Sequence, residues 1–470
     1  MQQNLQTLSY YRWLIFGVVA CGTFMATLTS SIVNVALPPI TVALKTNITT
    51  AQWVVTSYLL AITSLLPLMG RLGDVWGRRR MYGSSFIVFT IGSLLCGFST
   101  SISLLIAARV VQAVGAAALM ANGPAIITSA FPPKERGKVL GMTGTAVALG
   151  TLSGPSLGGV LVGSWGWHSV FVVNIPVGIL AFIGVRLVLP RDHKTHDETI
   201  DYLGAFLFTA AMTAFLFVIS FGTQWGWLSQ QSILTLTTSV VAFFLFVKQE
   251  KKVLHPIICL DIFKNRTFLA GNLSGILSYM ALFANTILLP FYLHDVLAFS
   301  PSGIGLVMSA FPLAMAVTAP VSGTLSDKIG PVALTTVGLG LMSAGLAFTA
   351  QLQPNSGIGV IMGLQALMGV GNGMFQSPNN SSVMGAVDHK QLGIAGGINA
   401  LARNLGMVSG TAVAVSIFEH NRLAFLAQVA NPTQVQEQAA FLTGYHGALI
   451  AAAVFALAGA LLSFNRNKQN

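Results

Sequence analysis

Long apolar runs separated by short polar segments dominate the chain from end to end. A helix needs about 20 apolar residues to cross a hydrocarbon core of roughly 30 Å. Taken at that length, the runs predict fourteen membrane-spanning helices. The first seven lie near 13–36, 53–69, 81–98, 104–130, 139–162, 170–189 and 202–221. The other seven lie near 232–247, 268–292, 303–321, 332–350, 357–376, 392–418 and 442–464. The first run is too long for a signal peptide and is followed only by further spans, so no cleavage is expected.

Composition narrows the picture. Of 470 residues, 54% are apolar and 8% charged, against about 25% charged in an ordinary soluble protein. Mean hydropathy is +0.74. Too little polar surface is present to solvate a globule of this size, which excludes a soluble enzyme, a nucleic-acid binder and a disordered scaffold. Cys21, Cys96 and Cys259 are too few and too scattered for a disulfide framework. The formal charge of +11 is explained by where the cations sit. Arg71, Arg78, Arg79 and Arg80 follow the second run, and Lys134, Arg136 and Lys138 follow the fourth. Arg191, Lys194, Lys251, Lys252, Lys264 and Arg266 follow the sixth and eighth, while the opposite side holds only Lys45 and Arg422. Positive charge gathers in cytoplasmic loops, so both termini are expected in the cytoplasm, with the excess cations held at an anionic leaflet.

The chain also repeats. GRLGDVWGRRR at 70–80 follows the second run, and GTLSDKIG at 323–330, with Asp327, follows the tenth. Internal repeats around a central site are the usual build of secondary transporters. The expected organisation is a six-helix bundle over 1–190, a linker with two extra helices over 191–266, and a second six-helix bundle over 267–470.

Three further patterns bear on function. Gly150, Gly154 and Gly158 recur every four residues and form one flat helical stripe, the kind of face that lets backbones approach closely in lipid. Pro155 removes a backbone donor there and favours a kink. Gly73 and Gly77 would permit a tight turn after the second run, with Asp74 able to accept from amides at a helix N-terminus. With these residues the chain resembles the major facilitator superfamily, in particular its fourteen-span drug:proton antiporter branch. Gly70, Asp74, Gly77 and Arg78 match the loop motif of that family. Gly141, Gly150, Gly154, Pro155, Gly158 and Gly159 match its antiporter signature, G-x8-G-x3-GP-x2-GG. RVVQAVGAA from Arg109 looks like its fourth-span motif, and LTSSIVNVALPP at 28–39 like the motif ending its first span. The resemblance implies a multi-pass protein of the cell (plasma) membrane, active as a monomer, needing no cofactor, and exporting amphipathic compounds by alternating access. It also implies that the glycine stripe faces the opposite bundle, and that Asp74 latches onto the thirteenth helix near Gly393.

Ionisable residues inside a span are costly and therefore functional candidates. Arg109 and Arg403 stand out, with Gln112 one turn from Arg109, and Trp53 and Tyr58 resemble cavity residues of the family. The first-span motif of the antiporters carries an aspartate where this chain has Thr29, at a depth comparable with Arg109. No acidic residue is convincingly embedded, because Asp295, Glu419 and Glu437 fall near span ends. A net-positive cleft is expected, which favours neutral or anionic amphiphiles over cations, with proton antiport implied by the family alone. His168, His294 and His446 lie near the outer mouth, and GNGMFQSPNN at 371–380 is read as a gate or a plain loop. Two other readings stand beside drug export: an exporter or flippase of anionic amphiphiles or lipids, and a transport-incompetent sensor or partner-binding protein. No metal-ligand cluster, catalytic pair or phosphate-binding loop is visible, and neither enzymatic activity nor ATP use is expected.

Overall fold

The computed structural model describes residues 9–190, 192, 201–253, 258, 260–388, 392–429 and 432–466. Regular structure among them is helical. The long helices are α1 Ser9–Ala43, α2 Trp53–Trp76, α3 Arg78–Gly97, α4 Ile102–Ala130, α5 Pro133–Trp165, α6 Asn174–Val188 and α7 Tyr202–Trp225. They continue as α8 Gln230–Glu250, α9 Arg266–Phe291, α10 Pro301–Ile329, α11 Pro331–Thr349, α12 Ile358–Gly385, α13 Leu392–Leu426 and α14 Gln434–Asn465.

Twelve stretches among the described residues are long and apolar enough to cross a membrane, against the fourteen expected. The two long helices outside that set are α3 and α5. Three arginines open α3, and three serines and one threonine interrupt its apolar run. Much of α5 has side chains outside the described residues, so it falls outside that count; Lys134, Glu135, Arg136 and Lys138 stand in its first turns. Several helices run past their predicted ends, because a span tilts and projects beyond the hydrocarbon. The run at 371–380 is one case. It is not a loop but the interior of α12, where Asn372 and Asn379 are buried.

Packing follows the repeat seen in the sequence. In the first part of the chain α1 packs on α5, α2 on α4, and α3 on both α4 and α6. In the second part α9 packs on α13, α10 on α12, and α11 on both α12 and α14. Gly77 and Gly330 end the equivalent helices α2 and α10 with φ of +98° and +82°, a backbone region open to glycine and strained for other residues. Gly73 does not share that role. It lies inside α2, where a Cβ would collide with the Asn122 amide. That amide donates to the carbonyls of Met69 (3.0 Å) and Ala118 (2.9 Å), joining α2 to α4.

α7 and α8 pack on each other, and α7 also lies against α2 and α13. Thr209 and Thr213 of α7 donate to the carbonyl and hydroxyl of Ser64 on α2, each at 3.1 Å.

Candidate functional site

Arg109 enters the interior from the second turn of α4 and is completely buried. Two of its nitrogens are satisfied. Nε donates to the carbonyl of Val54 on α2 (2.8 Å), and one terminal nitrogen donates to Gln112 Oε1 (2.7 Å). Gln112 passes the chain on, its amide donating to Ser93 Oγ on α3 (2.7 Å), which itself donates to the Phe89 carbonyl (2.8 Å). The guanidinium carbon lies 3.9 Å from the centroid of the Tyr58 ring and 5.8 Å from that of Phe171. Tyr58 is fixed by donating its hydroxyl to the Ala26 carbonyl of α1 (2.9 Å). Elements α1, α2, α3 and α4 therefore meet at one cation. A desolvated cation–π contact contributes about 2 kcal/mol, and hydrogen bonds from charged donors about 1.5–3 kcal/mol each. Those terms offset the cost of keeping a guanidinium out of water. The remaining terminal nitrogen is buried and has no protein partner.

Of the residues singled out in the sequence, the structure brings Arg109, Gln112 and Tyr58 together and separates the rest. Trp53 belongs to an aromatic column with α7, its ring 4.5 Å from that of Phe221 and 6.0 Å from that of Phe217. Thr29, fully buried, donates to Asn174 Oδ1 on α6 (3.2 Å) rather than turning to Arg109. A carboxylate at that position would meet an amide first. Arg403 on α13 is half-buried, and its Nε lacks a partner. Among the described residues neither Arg109 nor Arg403 forms an ion pair. The acidic residues near span ends are held locally. Asp295 Oδ1 lies 2.6 Å from His294 Nδ1, and Glu419 lies 3.3 Å from Arg422. His168, at the α5–α6 connection, stacks on Trp167 with centroids 3.7 Å apart, and partial burial lowers its pKa. No group of residues suited to a metal ion occurs among the described residues.

Polar residues that the sequence did not single out complete the picture. Asn285 of α9 donates to Gln365 Oε1 of α12 (3.1 Å), leaving Asn285 Oδ1 and Gln365 Nε2 buried without partners. Asn34 on α1 is fully buried with both amide atoms unpartnered. Such groups look like ordinary span residues in a sequence, because only the fold decides whether they meet.

The glycine signature divides its work differently from the expectation. A Cβ at Gly150, Gly154 or Gly158 would strike α1, at Thr27, Ser31 and Ile32 respectively, so the stripe faces a helix of its own half. The next positions face α10. A Cβ at Gly159 would lie 2.8 Å from the Gly305 Cα, and one at Gly305 would lie 2.7 Å from the Pro155 carbonyl oxygen. Ser302 adds a hydrogen bond to the Gly159 carbonyl (3.2 Å). At this end the two parts of the chain touch backbone to backbone. The surroundings of Gly141 and the side chain of Asp327 lie outside the described residues.

In the loop motif, Asp74 receives Arg78 Nε (3.2 Å) and a terminal nitrogen (2.9 Å), with Arg71 at 3.8 Å. Arg78 also donates to the Ala125 carbonyl (3.1 Å), tying the turn to α4. Gly70 packs loosely, its Cβ position 3.7 Å from Ala121. Gly393, where the latch is expected, lies in the first turn of α13, and its surroundings are outside the described residues.

Comparison with known proteins agrees with this architecture. The chain is similar to the riboflavin transporter RibZ of Clostridioides difficile (strain 630), 38% identical over 408 residues, 87% of this chain and 88% of that one. It is also similar to the multidrug resistance protein Stp of Mycobacterium tuberculosis (strain CDC 1551 / Oshkosh), 33% identical over 397 residues, 84% of this chain and 74% of that one. A solved bacterial homolog of the human lysosomal transporter Spinster, in an inward-facing and occupied conformation, superposes with a TM-score of 0.72. It covers 98% of both chains at 15% identity, a likeness of fold alone. Residues 19–250 and 271–469 match the model of the Major Facilitator Superfamily, and the chain belongs to that family.

Proposed function

We propose that this protein is a secondary-active exporter of neutral or anionic amphipathic small molecules, planar aromatic compounds among them. It works by alternating access between two six-helix bundles, α1–α6 over 1–190 and α9–α14 over 267–470. On this reading all fourteen long helices span the cell membrane, α7 and α8 are the two extra helices of the linker, and both termini are cytoplasmic. The backbone contact of Gly159 with Gly305 then lies at the outer end, where it closes the path to the outside.

The observation that carries the reading is Arg109, a wholly buried cation with one free donor and, among the described residues, no carboxylate beside it. A cation of this kind attracts a carboxylate, a phosphate or an electron-rich carbonyl and repels lipophilic cations. Similarity to a riboflavin transporter and to a multidrug resistance protein supports a small-molecule substrate. Proton antiport is a separate question, because Thr29 cannot titrate and sits against Asn174.

The test is uptake into proteoliposomes holding the purified chain, with riboflavin and a panel of anionic, neutral and cationic amphiphiles, each with and without an imposed pH gradient. Neutral or anionic compounds should accumulate, and Arg109→Ala should abolish that accumulation. Preference for cations, or transport untouched by Arg109→Ala, would overturn the reading. Dependence on the pH gradient that survives Thr29→Val would place proton coupling elsewhere.

A further inference from the structure

A groove of about 490 Å³ opens on the outside of the assembly, away from Arg109. It lies between the first turns of α3 and the last turns of α6, lined among others by Arg79, Arg80, Ile87, Phe182, Arg186 and Asp192. These helices run antiparallel, so their basic ends meet at one level. Three guanidinium groups and one carboxylate face this space, and the carboxylate is already engaged. Asp192 accepts from the backbone amides of Arg79 (2.8 Å) and Arg80 (3.1 Å), capping α3. Arg79 donates to the Arg186 carbonyl, and the Arg186 guanidinium lies 5.4 Å from the Phe182 ring. Among the described residues none of the three guanidinium groups is paired with a carboxylate.

Above the arginines the seam turns apolar. Ile87 and Ile91 on α3, and Ile179 and Ile183 on α6, one turn apart on each helix, are between 44% and 51% exposed. In a membrane protein that face meets acyl chains. The surface thus offers a cluster of phosphate-binding forks at one end and a greasy track leading from it. The repeat supplies a control within the molecule. The equivalent helix of the second half, α11, opens with Pro331, Val332 and Ala333 where α3 opens with Arg78, Arg79 and Arg80. On the α14 side Arg466 stands at the equivalent end but donates to Asn379 and Ser382 of α12, so the basic cluster on both helices of the seam is particular to the first half.

We propose that the groove binds the headgroup of an anionic phospholipid of the phosphatidylglycerol or cardiolipin type, its acyl chains lying along the α3–α6 seam. Planar guanidinium groups bind phosphate oxygens through paired hydrogen bonds, and basic pockets between helices on the cytoplasmic side suit such headgroups. Asp192 holds the arginines in place by fixing the N-terminus of α3.

Native mass spectrometry of the purified chain in mixed micelles with equal phosphatidylglycerol and phosphatidylcholine tests this directly. The native chain should retain phosphatidylglycerol in preference, by on the order of tenfold. The double variant Arg80→Gln with Arg186→Gln should lose that preference while eluting as the same monodisperse species. Lys251→Gln with Lys252→Gln, a basic pair elsewhere, should keep it. Arg80→Lys, which keeps the charge and loses the fork, should fall between. An unchanged preference in the double variant would overturn the proposal. So would sn-glycerol 3-phosphate displacing the lipid at equal concentration, because the groove would then be a simple anion site indifferent to acyl chains.

Discussion

Arg109 and Gln365 occupy the same place in the two halves of the molecule. Each lies seven residues after the first residue of its helix, on α4 and on α12. The scaffold around them agrees closely. A Cβ at Gly115 would strike the Phe89 nitrogen and the Ser85 carbonyl, and one at Gly371 would strike the Met342 nitrogen and the Gly338 carbonyl. Gly92 lies against Gln112 in one half, and Gly345 lies against Met368 in the other. The chemistry differs. One half holds a charge partly satisfied by α2, by Gln112 and by an aromatic face, with one terminal nitrogen left free. The other holds a neutral amide pair, Asn285 with Gln365, that keeps one acceptor and one donor free. Backbone packing is thus what the repeat preserves, because a close helix crossing tolerates almost no substitution. The side chains between the crossings are free to diverge, and that is where a transporter distinguishes its cargo.

Several changes would break or sharpen this contrast. The largest effect is expected from exchanging the two sites, Arg109→Gln with Gln365→Arg. The arginine would then lack the Tyr58 face and the Val54 carbonyl, so transport in proteoliposomes should fall below detection; restored transport would mean that the halves are chemically interchangeable. Gly305→Val comes next. Overpacking of this kind costs about 1–3 kcal/mol, so the state closed at the Gly159 end should lose population by on the order of tenfold. Cysteine-accessibility labelling near Ser302 would report it, and unchanged labelling would deny the contact a sealing role. Arg109→Lys keeps the charge and gives up the fork, and transport should drop by about tenfold for the loss of one charged hydrogen bond. Gly77→Ala, placed at positive φ against Asp192, should lower stability by about 1–2 kcal/mol in a detergent melting assay, with substrate preference unaltered. Smallest is Arg422→Gln at the half-exposed pair with Glu419, where less than about 1 kcal/mol is expected.

Most of the helical layout was legible in the sequence, because apolar runs of fixed length report the bilayer directly. Ends were less so. α12 continues to Gly385 through a polar run that reads as a loop, because Asn379 finds the Gly271 carbonyl (3.1 Å) and Arg466 only once α9 and α14 pack beside it. The Arg109 cluster was partly legible, since Arg109 and Gln112 lie one turn apart on one helix. Its other members, Val54, Tyr58 and Ser93, come from two different helices at separations that no spacing rule links. Thr29 was matched to Arg109 on depth alone, and depth says nothing about which way a side chain turns. The glycine signature showed its spacing but not its partners, since neighbouring positions on α5 face α1 and α10 on different sides.

A contact made of glycine backbones has one further property. At Gly159 and Gly305 backbone meets backbone across the boundary and Ser302 adds one hydrogen bond to the Gly159 carbonyl, so parting the two surfaces there breaks a single weak bond and withdraws no bulky side chain from a socket. Such a seam excludes water while shut, yet it can slide and separate as a smooth plane. On the proposed alternating-access reading, a gate made this way is tight without being sticky, which suits a machine that must open and shut in every cycle.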